Sequence, residues 1–179
     1  MATAQILPDN DTIEAEVFIA APPARVFQAL TDVNQMPKWW GQEGMYRITG
    51  YEADLRPGGK WSSIGTAADG TEFRIDGEYL EIDPPRLLVY TWNPTFATTR
   101  NTVVRCELEA RDVHGLQGRG PHRVGTGTVV KIRHTGFAGN LDQLKGHSEG
   151  WKRVFTWLKA YVENGETAET RVPAATGTM

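Results

Sequence analysis

The sequence predicts an α+β domain in which a curved antiparallel sheet of about seven strands wraps one long C-terminal helix. Three observations carry this. Apolar residues alternate with polar ones in successive short runs separated by Gly, Pro, Asp and Asn, the pattern of half-buried strands. The connections between most runs are short, which makes neighbouring strands antiparallel. Near the C-terminus the period changes: Leu144, Trp151, Val154, Phe155, Leu158 and Val162 recur three and four residues apart, with Lys145, Lys152, Lys159 and Glu163 elsewhere on the wheel.

The elements follow in order. Ile13, Ala15, Val17 and Ile19 form the apolar face of a first strand. Pro22-Pro23 opens a helix over Ala24 to Leu30, because proline is tolerated in a first turn, and Val26, Phe27 and Leu30 give it one apolar face. A second short helix is expected within Asp32 to Trp40, with Asn34 as its N-cap and Pro37 in its first turn. Strands are then expected at Arg47–Asp54, Lys60–Thr66, Thr71–Ile82, Leu87–Asn93, Thr102–Ala110 and Thr126–His134. Pro57-Gly58-Gly59, Ala68-Asp69-Gly70 and Asp83-Pro84-Pro85-Arg86 supply turns between them. The long helix runs from about Leu141 to Val162. Residues 1–11 and 164–179, polar or small, read as flexible tails around one domain at 12–163.

A curved sheet and a straight helix diverge in the middle, so the space between them is filled by large side chains or kept as a cavity. Gly146 and Gly150 bear on that choice. Each costs about 1 kcal/mol in a helix interior relative to alanine, so the pair marks close backbone approach or room for a ligand, unless Gly146 simply precedes a later helix start.

Composition excludes some function classes. A net charge of −3 gives no basic footprint for nucleic acid. No apolar run has membrane-spanning length, and the N-terminus lacks the basic-then-apolar layout of a signal peptide, so a cytoplasmic location is expected. The single cysteine, Cys106, alternates with Val104 and Leu108 and reads as a buried structural thiol. No Ser-His-Asp pattern, phosphate loop or metal-spaced cluster is present, His114 and His122 being too loosely placed for a metal, and no cofactor is expected.

The candidate site is aromatic. Trp39, Trp40, Trp61 and Trp151 either plug the ends of the sheet–helix sandwich or line a pocket that stacks a flat apolar ligand. Phe73, Tyr79, Tyr90, Trp92 and Phe155 extend the same wall. His134 shares a strand face with Val130 and Ile132, and is either a hydrogen-bonded structural histidine or a general base. His147 reads as a residue of the cavity mouth or a helix cap. Glu72, Asp76 and Glu78 share one strand face, usually a solvated one, with an inward carboxylate as the alternative.

Several ordered motifs carry a family resemblance. They are Ile19-Ala20-Ala21-Pro22-Pro23 leading to Val26-Phe27, Trp39-Trp40, Arg56-Pro57-Gly58-Gly59-Lys60-Trp61, Asp69-Gly70, Gly77-Glu78-Tyr79, Pro84-Pro85-Arg86-Leu87 and His147-Ser148-Glu149-Gly150-Trp151. Together, over residues 12–163, the chain resembles the SRPBCC (START-like) superfamily, and within it the homologues of the activator of the ninety-kilodalton heat-shock ATPase. The resemblance implies a helix-grip fold and, usually, a hydrophobic pocket between sheet and long helix. It does not imply one activity.

The segment from Arg111 to Gly127 is longer than a hairpin needs and is either a disordered tip or a functional lid. Its glycines resemble those of self-sacrifice resistance proteins of enediyne antibiotic producers, in which the bound drug removes a hydrogen from a glycine Cα before the chain is cleaved. By that resemblance Gly115 is the first candidate for self-cleavage, then Gly118 and Gly120. The leading expectation is a non-catalytic protein that binds a hydrophobic or polyaromatic small molecule. A polyketide cyclase or aromatase using His134, a tyrosine or an inward carboxylate is the alternative. A co-chaperone of a heat-shock ATPase ranks behind both.

Overall fold

In the chain's computed structural model, which describes residues 1–113 and 125–171, every strand pairs antiparallel with its neighbours. β1 (Thr3–Ile6) and β2 (Thr12–Ile19) form a hairpin, and α1 (Pro23–Thr31) and α2 (Met36–Trp39) then carry the chain to the opposite edge. From there β3 (Gly41–Gln42), β4 (Tyr46–Ala53), β5 (Lys60–Ala67), β6 (Glu72–Asp83), β7 (Leu87–Pro94), β8 (Thr102–Val113) and β9 (Gly125–Thr135) return as a meander, and α3 (Leu141–Asn164) follows. The order β1-β2-β9-β8-β7-β6-β5-β4-β3 joins β2 to β9. Bulges between Ile48 and Gly50 and between Tyr79 and Glu81 interrupt the ladders, and such bulges bend strands and increase their twist. With α3 packed against the sheet, this is the helix-grip arrangement.

The core lies between the sheet and α3. Ile13, Val17, Val104, Leu108, Val130 and Ile132 point inward from neighbouring strands, against Leu144, Val154, Phe155 and Leu158 of α3. Burial of each large apolar side chain contributes about 1.5–3 kcal/mol. Asn140 caps α3 by accepting from the Gln143 N–H, and Gly165, at φ 70°, closes it in the left-handed conformation. Glu72 and Glu78 are exposed and Asp76 is half-buried, on the face of β6 opposite the inward-pointing Ile75 and Tyr79.

Four expectations need correction. The stretch 1–11 is not a loose tail, since Thr3–Ile6 pairs with Ile13–Glu16 and Ala2 is buried. Its Asp9 carboxylate accepts from the backbone N–H groups of Asp11 and Thr12, so the acidic run is a hairpin turn. At the other end, residues 165–171 pack back: Ala168 N–H donates to the Lys38 carbonyl, and the Arg171 side chain is buried. With β1 and the two-residue β3 added, the described residues contain nine strands rather than about seven. Finally, Asn34 does not cap the second helix. Asp32 accepts from the Asn34 N–H in a turn of its own, and α2 is a single turn starting at Met36.

Candidate functional site

A cavity of about 500 Å³ lies between α3 and the half of the sheet built from β4 to β7. The sequence sends two adjacent tryptophans in opposite directions there. Trp39 is fully buried and donates its indole N–H to the Ala29 carbonyl at 2.9 Å, so it belongs to the core and not to the cavity. Trp40 follows where the chain leaves α2 in an extended conformation, donates to the Tyr46 hydroxyl at 3.1 Å and lines the cavity. Trp92 sits at the centre of the aromatic group, its ring 6.1 Å from Trp40, 5.7 Å from Trp61 and 6.1 Å from Trp151.

Of the residues expected at the site, Trp40, Trp61, Phe73, Trp92, His147 and Trp151 line this cavity. Tyr79, Tyr90 and Phe155 instead border a separate void of about 30 Å³ deeper in the core, beside Cys106. Burial raises the hydroxyl pKa of both tyrosines and pushes the Cys106 thiol up to about 12. His134 lies behind the cavity wall, and Gly115, Gly118 and Gly120, like His114 and His122, fall outside the described residues.

The two histidines hold two of the tryptophans. His134 Nδ1 accepts the Trp151 indole N–H at 3.0 Å, while Nε2 meets Thr102 Oγ1 at 2.8 Å. Thr102 spends its own proton on the Trp92 carbonyl, so Nε2 is the protonated nitrogen and the imidazole is neutral. His147 mirrors the arrangement: Nδ1 faces the Gln143 carbonyl at 2.8 Å and must donate, leaving Nε2 to accept the Trp92 indole N–H at 3.2 Å. The imidazoles are 5.5 Å apart. Burial holds both below the ordinary histidine pKa, His134 well below, with the charge of His147 a further cause for His134. Every ring nitrogen of the pair is engaged, which leaves neither poised as a free base.

Other lining residues were missed. Met36, Met45, Tyr46, Ile48 and Phe96 contribute apolar surface, and Gln143 and Arg153 add polar groups from α3. Tyr51 also lines the cavity, although strict alternation from Tyr46 and Ile48 puts it on the other face; the bulge after Ile48 shifts the phase by one residue. Gly146 and Gly150 both border the cavity from within α3, and a Cβ added at either meets nothing within 4 Å. Gly146 therefore does not mark a late helix start. Among the described residues no group of His, Cys, Asp and Glu is placed to hold a metal, and no helix is long and apolar enough to cross a membrane.

Solved structures share this architecture. Protein Ms6760 from Mycobacterium smegmatis is 21% identical, with 92% of this chain and 98% of that one covered at a TM-score of 0.70. CalU16 from Micromonospora echinospora is 21% identical, covering 92% and 85% at a TM-score of 0.56. The Aha1 dimer from Colwellia psychrerythraea is 17% identical, covering 87% and 98% at a TM-score of 0.62. At these identities the likeness is one of fold. No curated protein matches the sequence. The family model described as activator of Hsp90 ATPase homolog 1-like protein matches residues 20–115, more than half of the chain, which therefore belongs to that family.

Proposed function

We propose that the chain is a non-catalytic binding protein that holds a flat hydrophobic or polyaromatic small molecule between the sheet and α3. The observation that carries this reading is the cavity of about 500 Å³ walled by Trp40, Trp61, Trp92 and Trp151. Three of these indoles spend their N–H groups on Tyr46, His147 and His134, so what they offer a ligand is rigid apolar ring surface. The engaged histidines speak against a cyclase that uses His134 as its base. Titration with polyaromatic compounds tests the proposal: quenching or a shift of tryptophan fluorescence that saturates is expected, and an unchanged spectrum at every concentration contradicts it.

Self-sacrifice toward an enediyne is the narrower form of this reading, and its candidate cleavage points, Gly115, Gly118 and Gly120, lie outside the described residues. Drug-dependent cleavage into two fragments of defined mass would support that form, and intact protein after exposure to activated drug would dismiss it. A co-chaperone role rests on the family description alone, and failure to retain the heat-shock ATPase in a pull-down would remove it.

A further inference from the structure

One face of α3 presents Asp142, Gly146, Gly150 and Arg153 to the cavity in succession. The two glycines leave the helix backbone bare between two opposite charges whose Cα atoms are about 16 Å apart at 1.5 Å per residue. The charges differ in what surrounds them. Asp142 is exposed in the first turn, where the helix dipole already favours a carboxylate. Arg153 is half-buried at the other end. Elsewhere along this part of the chain, Lys159 pairs with Glu163 and Arg171 with Glu166, but among the described residues Arg153 has no carboxylate within ion-pair distance. Its partner is the thioether of Met45, 3.1 Å from Nη1, a weak acceptor for a guanidinium.

Tyr46 stands on the same side. Its oxygen accepts from Trp40, and among the described residues nothing accepts its own O–H. Burial pushes that hydroxyl up to about 12, with the charge of Arg153 acting in the opposite direction, so it keeps its proton at neutral pH. A guanidinium and a phenol thus bring unused donors to one end of an otherwise apolar cavity; Glu149, one turn before Arg153, is exposed and does not line it, and the lining carboxylate, Asp142, lies at the far end.

We infer that the cavity selects an anion: a flat aromatic compound bearing a carboxylate, its rings over the bare Gly146–Gly150 face and its acid group on Arg153 and Tyr46. Repulsion from Asp142 sets the same orientation, and a guanidinium matches a carboxylate with two parallel donors. The inference rests on the proposed cavity binding, and the two are separable by experiment.

Anthracene carboxylate and its uncharged carboxamide, titrated by tryptophan fluorescence, provide the test. The wild-type chain should bind the carboxylate about tenfold more tightly than the carboxamide, the size of a charge-assisted hydrogen bond. R153Q should abolish that preference and Y46F should reduce it, with the carboxamide reporting in each variant that the cavity is intact. K152Q, which removes a neighbouring exposed charge, should leave the preference in place. Equal affinities in the wild type, or a preference that survives R153Q or falls equally in K152Q, overturns the anion inference while leaving cavity binding standing. Failure of both probes to bind overturns the cavity reading itself.

Discussion

Trp151 of the long helix donates its indole N–H to Nδ1 of His134, which stands on a strand deep in the sheet, across 3.0 Å. That bond ties α3 to β9 through a neutral imidazole. It also fixes the proton of His134 on Nε2 and so orients Thr102 and, through it, the backbone of Trp92. Trp151, His134, Thr102 and the Trp92 carbonyl thus form a hydrogen-bonded chain in which each donor has one assigned acceptor.

Stability should fall with acidification below pH 6.5. Burial depresses the pKa of His134 and His147, whereas the unfolded chain protonates both near the ordinary 6.5. The unfolded state then binds more protons below that value, and each histidine costs up to about 1.4 kcal/mol per pH unit as pH drops. Their stabilisation is fully present above 6.5. Urea midpoints measured between about pH 7.5 and 5 should decline in the wild type and decline less in His147→Gln. A flat profile would show that the unfolded chain keeps the two imidazoles equally shielded.

Gly146→Ala and Gly150→Ala should each raise stability by about 0.5–1 kcal/mol, since both positions are helical and a Cβ meets nothing. Gly146→Leu and Gly150→Leu should weaken ligand binding by placing side chains in the cavity. Thermal unfolding and fluorescence titration on the same proteins separate the two effects. Loss of stability in the alanine variants would mean that the backbone there is held in place by something other than the helix.

Arg171→Gln should cost about 2–3 kcal/mol and loosen the C-terminal segment. The guanidinium donates to the carbonyls of Trp39, Gly41 and Trp157 and lies 5.2 Å from the Trp157 ring centroid. Without it those carbonyls lose buried donors, and the strand that presents Tyr46 loses a support at its edge. Limited proteolysis should cut the variant faster after Asn164, and an unchanged cleavage rate would contradict the role.

Gly77→Ala should be among the most damaging single changes, at about 2–4 kcal/mol or failure to fold. A Cβ there meets the Thr91 carbonyl at 1.9 Å and Trp61 Nε1 at 2.7 Å, and the first of these is backbone that cannot step aside. The urea midpoint of Gly77→Ala, compared with that of Gly125→Ala at a strand position where an added Cβ meets nothing, checks this. Comparable losses at the two sites would mean that the strand yields.

Much of the fold was readable because it rests on local periodicity. α3 and the long strands ended within about two residues of expectation, as is usual for element boundaries, except β8, which runs three residues further, to Val113. The aromatic wall was partly readable: Trp40, Trp61, Trp92 and Trp151 meet as the helix-grip arrangement required. Trp39 could not be told from Trp40 by composition, because a turn in backbone direction after α2 separates them. Tyr51 was hidden by a bulge, and β1 by its small residues and acidic turn. Arg171 carries no sequence signal for burial, since charged residues near a chain end are usually solvated.

By itself the sequence determined the element order, the antiparallel sheet and the amphipathic helix that closes it, because those follow from spacing along the chain and from turn residues that act locally. Only the tertiary structure decided which rings face a cavity and which fill the core, which nitrogen of each histidine holds its proton, and that Arg153 and Tyr46 share one end of the site. The reason is physical. Burial, tautomer and charge pairing depend on groups brought together from positions far apart in the chain, 108 residues in the case of Met45 and Arg153, and nothing local encodes their distance.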